Sequence, residues 1–387
     1  MRFAAARPLA IAIVAAGLLA PVLPTSALRR GPGAPAPSAS GPASAVDERR
    51  HEPDLVTLVS QLKGVRVITA TRAKRFASRL ERLREQGPKA IPAIAAFLDG
   101  GEDVDFARIR GGDLLGHRTL RQAMLDTVEK IGGSAAMAVC LEQLQRTTEP
   151  LEIVIAAHAL EAEEPGAHRD AVLDAVGNAL LWTEDQSVTV DVAPLFDLLR
   201  GYGGEQAVRT LVASAPRWGE YALIALADLP AGAGIPSLTE LAATDDAPLL
   251  NPIMPFETLA QASAQYPEAG DALVDLALAG RIPDDVWGPM ADALGGKHLR
   301  LSGQMFDGTP LAEHPADGRS PASPWRSYYV EWLNIRYEQD EVAGRWSPEQ
   351  VAQELALIDD LLDAATSPAA VEALRHARAS LQAESST

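Results

Sequence analysis

The chain has 387 residues, 47% of them hydrophobic but only 5% aromatic, and a formal net charge of −18. That charge argues against a nucleic-acid binder, which needs a basic face to release counterions, and a single cysteine, Cys140, excludes an intramolecular disulfide. The length allows a sizeable core, and an apolar share carried by Ala and Leu suits closely packed short helices better than a β-sandwich.

Residues 1–27 have the three parts of an export signal: Arg2 and Arg7 at the start, an apolar run from Leu9 to Leu23, and small residues at Thr25-Ser26-Ala27. The expectation is a Sec-type signal and a periplasmic or secreted protein. Pro21 and Pro24 interrupt the run, which favours cleavage; left uncleaved, the segment would anchor the chain to the inner membrane. Residues 28–50, almost entirely Gly, Pro, Ala and Ser from Gly31 to Ala45, are predicted to be a disordered linker.

Order is predicted to begin near Asp54, with Leu55, Leu58, Val59 and Leu62 at helical spacing. The next helix, from about Thr71 to Glu85, turns Phe76, Leu80 and Leu83 inward. It carries Arg72, Lys74, Arg75, Arg79, Arg82 and Arg84 against only Glu81 and Glu85. This basic patch in an acidic chain reads either as a solvated face or as a contact for anionic lipid or an acidic partner. Between Leu120 and Leu144 two apolar patterns meet at Gly132-Gly133. Leu120, Met124, Leu125, Val128 and Ile131 mark the first, Ala136, Val139, Cys140 and Leu144 the second, and Ser134 stands where it would cap the second. Cys140 on the apolar stripe reads as a packing residue.

Helix-ending glycines recur at Gly87, Gly132-Gly133, Gly166, Gly203-Gly204, Gly232 to Gly234, Gly270 and Gly295-Gly296, at intervals of helical-pair repeats. Ala90-Ile91-Pro92-Ala93-Ile94 and Gly234-Ile235-Pro236-Ser237-Leu238 each put proline in the first turn of a helix, where its missing amide costs nothing. On these residues the chain resembles the HEAT and HEAT-like repeat family over about residues 87–296. The resemblance implies a right-handed α-solenoid that binds other macromolecules, and the family also includes a branch of lyases acting on bilin chromophores; no catalytic residue carries over. The predicted fold is therefore all-α: an α-solenoid of HEAT-like hairpins over 51–300, a long loop over 301–324, and a C-terminal helical cap over 325–387.

Leu301 to Pro324 has no period and is dense in Pro, Gly, Ser and Asp. A helical pattern follows from Trp325 to Tyr337. Two well-marked helices then open at Ser347-Pro348-Glu349-Gln350, with Val351, Leu355, Ile358 and Leu362 inward, and at Ser367-Pro368, with Val371, Leu374 and Leu381 inward.

Enzyme signatures are scarce: there is no nucleophile elbow, HExxH, phosphate loop or cysteine pair. His158 and Glu161, one turn apart, could share a metal, and His298, Glu313, His314 and Asp317 make a second cluster; a core-edge histidine and a solvated loop explain these as well. Trp325, Tyr328, Tyr329 and Trp332 are the candidate partner-binding residues, since Trp and Tyr offer large contact area at low entropy cost, or else they glue the cap to the last repeat. The expected function is an exported, non-enzymatic binding or scaffold protein holding a protein or peptide partner, with no nucleic acid, metal or cofactor. The alternative is an exported hydrolase or lyase with its site in 301–324.

Overall fold

The pattern of burial separates two kinds of helix. In Leu120–Ile131 every residue from Gln122 to Val128 is buried, and in Pro150–Glu163 every residue from Pro150 to Ala157. By contrast Gly133–Leu144 buries only Ala136, Val139, Cys140, Gln143 and Leu144. A helix apolar all round must be enclosed by neighbours, whereas a helix with one stripe needs only one. Through the middle of the chain these two kinds alternate, which makes two rows; the first and last helices of the enclosed row, Ala70–Glu85 and Pro368–Glu384, bury a single stripe each.

The computed structural model describes Leu55, residues 57–184, 192–244, Leu249, 251–301 and 337–384, all within the unit Asp47–Thr387. Its helices are α1 (Ala70–Glu85), α2 (Ile91–Asp99), α3 (Leu120–Ile131), α4 (Gly133–Leu144), α5 (Pro150–Glu163), α6 (Arg169–Glu184), α7 (Ala193–Tyr202), α8 (Gly204–Ala227), α9 (Ile235–Ala243), α10 (Met254–Ser263), α11 (Pro267–Leu278), α12 (Trp287–Leu294), α13 (Pro348–Ala364) and α14 (Pro368–Glu384). The all-α expectation holds for the bulk of these residues. Among them no helix is long and apolar enough to cross a membrane.

Packing follows chain order. In the enclosed row α1 touches α3, α3 touches α5, α5 touches α7, α7 touches α8, α8 touches α10, α10 touches α12 and α12 touches α14. In the flanking row the series runs α2, α4, α6, α8, α9, α11, α13. Helix α8 belongs to both rows because it bends at Pro216, with Trp218 out of helical geometry at φ −117°, ψ 39°. Before the bend it buries Ala207, Leu211, Ser214 and Ala215 as a stripe; after it, Tyr221 to Ala227 are all enclosed.

Several local expectations are corrected. Ser134 does not cap α4: its N-cap is Gly132, at φ 67°, and the amide of Gly133 donates instead to Glu163 Oε1 at 3.0 Å, from the end of α5. Gly270 ends no helix. It lies inside α11, where a Cβ would stand 3.0 Å from Leu357 Cδ2, so its role is close approach to α13. On α13 the inward face is Glu354, Leu357, Ile358 and Leu361, with Leu355 and Leu362 only partly buried, because the helix is clasped by both α11 and α14. The caps are as expected: Ser347 and Gln350 form the reciprocal capping box, and the amide of Ala370 donates to Ser367 Oγ at 3.2 Å.

The helical reading fails at two places. Strand β1 (Lys297–Leu301) pairs antiparallel with β2 (Tyr337–Glu341), from Lys297 opposite Glu341 to Leu301 opposite Tyr337. Leu301 therefore ends a strand rather than opening a loop, and Tyr337 begins a strand rather than ending a helix. From His298 to Leu301 the first run alternates polar and apolar residues but is only four residues long and has no β-branched residue, the second run has neither signal, and pairing across residues 302–336 is a non-local event. Strand β1 lies against α8, α10 and α12.

Candidate functional surface

Polar side chains bridge several steps along the enclosed row. Between α1 and α3, Arg84 Nη2 donates to Asp126 Oδ2 at 3.1 Å; Lys130 Nζ at 2.9 Å and His117 Nε2 at 3.3 Å meet the same oxygen. Asp126 is fully buried. Burial alone would raise its pKa, but the hydrogen bond and charge of His117 and the Lys130 ammonium hold the carboxyl well below the usual carboxylate range. Sequence reading missed this group, because residues 100–119 have no period. They form two tight turns anchored by Phe106, which sits edge-on to Phe76 at 5.7 Å, and His117 follows from the second turn.

Between α3 and α5, Glu129 accepts from His158 Nδ1, and this bond is the main reason the His158 pKa is raised. On the other side of the same pair, Arg121 Nε donates to Glu152 Oε1 at 2.8 Å, and its other nitrogens donate to Leu98 O and Gln143 Oε1. One guanidinium thus ties α2, α3, α4 and α5. Between α5 and α7 the Tyr202 hydroxyl donates to Glu161 Oε2 at 3.2 Å, and burial followed by the nearby Glu161 charge raises its pKa. Further along, Arg200 Nη2 donates to Asp197 Oδ1 at 2.8 Å. Asp228, just after α8, is pushed up to about 6 by burial, against the pull of Arg200 and Gln261. Gln261 Nε2 lies 3.5 Å from Asp228 Oδ1, and Gln261 Oε1 accepts from the amide of Leu299 at 2.8 Å. This last bond roots the β-ribbon on α10.

These positions bear on His158, Glu161 and Cys140 among the candidate groups. His158 is committed to Glu129, while Glu161 accepts from Gly166 N and Tyr202; the two do not converge, and among the described residues no group of His, Cys, Asp or Glu could hold a metal. Cys140 is fully buried and burial pushes its thiol up to about 12, so its thiolate is scarce at neutral pH and it acts as a packing residue. His298 packs against Trp346 with ring centroids 5.5 Å apart. Trp325, Tyr328, Tyr329 and Trp332, like Glu313, His314 and Asp317, lie outside the described residues. The structure does show where the segment holding them leaves and returns: at Leu301 and Tyr337, partners in the ribbon.

No family model, curated protein or solved structure matches the chain.

Proposed function

We propose that this chain is an exported, non-enzymatic binding or scaffold protein, a HEAT-like α-solenoid closed by a C-terminal helical cap, that holds a protein or peptide partner in the cell envelope. The observation that supports it most is the packing order: each enclosed helix touches the next enclosed helix, and the flanking helices follow in parallel, which is how stacked hairpins bury a continuous core. The polar bridges then read as registration between repeats. The partner is held through Trp325, Tyr328, Tyr329 and Trp332, on a segment whose two ends sit side by side on the β-ribbon.

The test is affinity capture from envelope extract by the chain and by its W325A/Y328A/W332A variant, after both have shown the same helical circular dichroism and melting. A partner retained by the first and lost by the second supports the reading. Equal retention by both removes the aromatic residues from it, and capture by neither removes the stable partner.

A further inference from the structure

Residues 63–90 carry nine Lys or Arg against Glu81 and Glu85, in a chain of net charge −18. The structure sorts these cations. Arg84 is turned inward onto Asp126, and Lys63 pairs with Glu102. The rest have no carboxylate partner among the described residues: Arg79 reaches the Gln61 amide, Arg72 Nη1 donates to Val67 O at 2.8 Å, and Arg66, Lys74, Arg75, Arg82 and Lys89 are exposed. On α1, positions 72, 75, 79 and 82 recur at three- and four-residue steps, so four arginines form one stripe beside the buried face of Phe76, Leu80 and Leu83. Glu81 lies off that stripe and is paired with Arg84, and Glu85, three residues after Arg82, borders its C-terminal end.

A second observation falls at the same end of α1. Val67, 41% exposed, is one of four large apolar side chains left in solvent among the described residues. It is bridged in parallel to Arg110, itself exposed, and its carbonyl is the one Arg72 holds. An exposed aliphatic side chain on a residue bridged to Arg110 and held at its carbonyl by Arg72, at the head of an arginine stripe, is a combination that a lone solvated helix does not require. An acidic peptide would satisfy the cations but leave Val67 unexplained. A bilayer rich in anionic headgroups meets both, with headgroup phosphates on the guanidinium groups and the aliphatic group at the headgroup boundary. The chain's acids do not cancel this at physiological salt, because charges farther away than about 8 Å are largely screened.

We infer that the α1 stripe of Arg72, Arg75, Arg79 and Arg82, with Val67 and Arg110 at its head, is a docking surface for an anionic lipid bilayer. This surface is independent of the aromatic segment and does not rest on the partner-binding reading.

The test is flotation of the full chain with vesicles of equal parts phosphatidylglycerol and phosphatidylcholine, and with vesicles of phosphatidylcholine alone, at low and high salt. The variants are R75E/R82E and R75K/R82K; both residues are exposed and lack carboxylate partners, so the fold has no need of them, and matching melting curves check this. The apolar run Leu9 to Leu23 and Arg2 and Arg7 are identical in all three chains, so any difference reads α1. The expected result is binding that needs phosphatidylglycerol, weakens with salt, falls about tenfold or more in R75E/R82E, and survives in R75K/R82K. Binding without preference for phosphatidylglycerol, or equal binding by R75E/R82E, overturns the assignment. Binding of polyglutamate without binding of vesicles also overturns it, and assigns the surface to an acidic protein.

Discussion

Glu354 is a carboxylic acid set where a leucine would be expected. It is fully buried on α13, neither of its oxygens has a hydrogen-bond partner, and the Ser263 hydroxyl beside it donates to Ala260 O at 2.7 Å. Burial pushes Glu354 from 4.5 up to about 8, with Ser263 drawing it partly back. In the unfolded chain the group ionises near 4.5; in the fold it keeps its proton until about 8. Between those values the unfolded state gains by ionising, so stability falls as pH rises through that window and levels off above it. At 1.36 kcal/mol per pH unit the full effect is about 5 kcal/mol, and about 3 kcal/mol is already lost at neutral pH. Against a typical domain stability of about 5–15 kcal/mol this is large. The perturbation is Glu354→Gln, which keeps the shape and removes the proton. Urea unfolding of both chains by circular dichroism, at about pH 5, pH 7 and pH 8.5, cancels every other titrating group in the difference. The variant should gain little at the lowest pH and about 3–5 kcal/mol at the highest. A difference that stays constant across the three would refute the argument, because it would mean that Glu354 is ionised in the fold.

Four further outcomes are expected. Asp126→Asn leaves Arg84, Lys130 and His117 around a neutral group, and should cost about 3 kcal/mol in urea unfolding at neutral pH. Gly234→Ala places a Cβ 2.1 Å from Leu226 O, where α8 ends and α9 begins, so the two helices must part; a loss of about 1–3 kcal/mol is expected by thermal or urea unfolding. His158 should titrate above 6.5 in an NMR pH series, and Glu129→Gln should bring it down; because its folded value is raised, the stability it adds is full below about 6.5 and disappears as pH climbs through the folded value. Replacing residues 302–336 by Asn-Gly should leave the melting temperature unchanged, since Leu301 and Tyr337 already face each other and a two-residue turn closes such a pair; a large drop would show that the segment is part of the core.

Much of this architecture is legible in the residues alone, because helix spacing and capping are local. The stripe of Phe76, Leu80 and Leu83, the paired patterns of Leu120 to Leu144, the first-turn prolines at Pro92 and Pro236 and the Ser347 to Gln350 box all depend on neighbours within one or two turns. The local signal gives out where the partner is far along the chain. Ser134 is a good cap by sequence, yet Glu163 from the next helix takes its place. Asp126 reads as the polar face of α3 until Arg84 and His117 arrive from other elements, and Glu354 reads as solvent-facing until α11 and α14 close around it. The strands at 297–301 and 337–341 carry at most a four-residue alternation, from His298 to Leu301, and each supplies the other's hydrogen bonds. The sequence by itself determined that this chain is mainly helical, where the helices with first-turn prolines or capping serines begin, and the inward stripe of helices such as α1. Tertiary structure alone decided which helices are enclosed, which charges are buried and how the ends of 302–336 meet, because those depend on free energies of burial and pairing that no single segment contains.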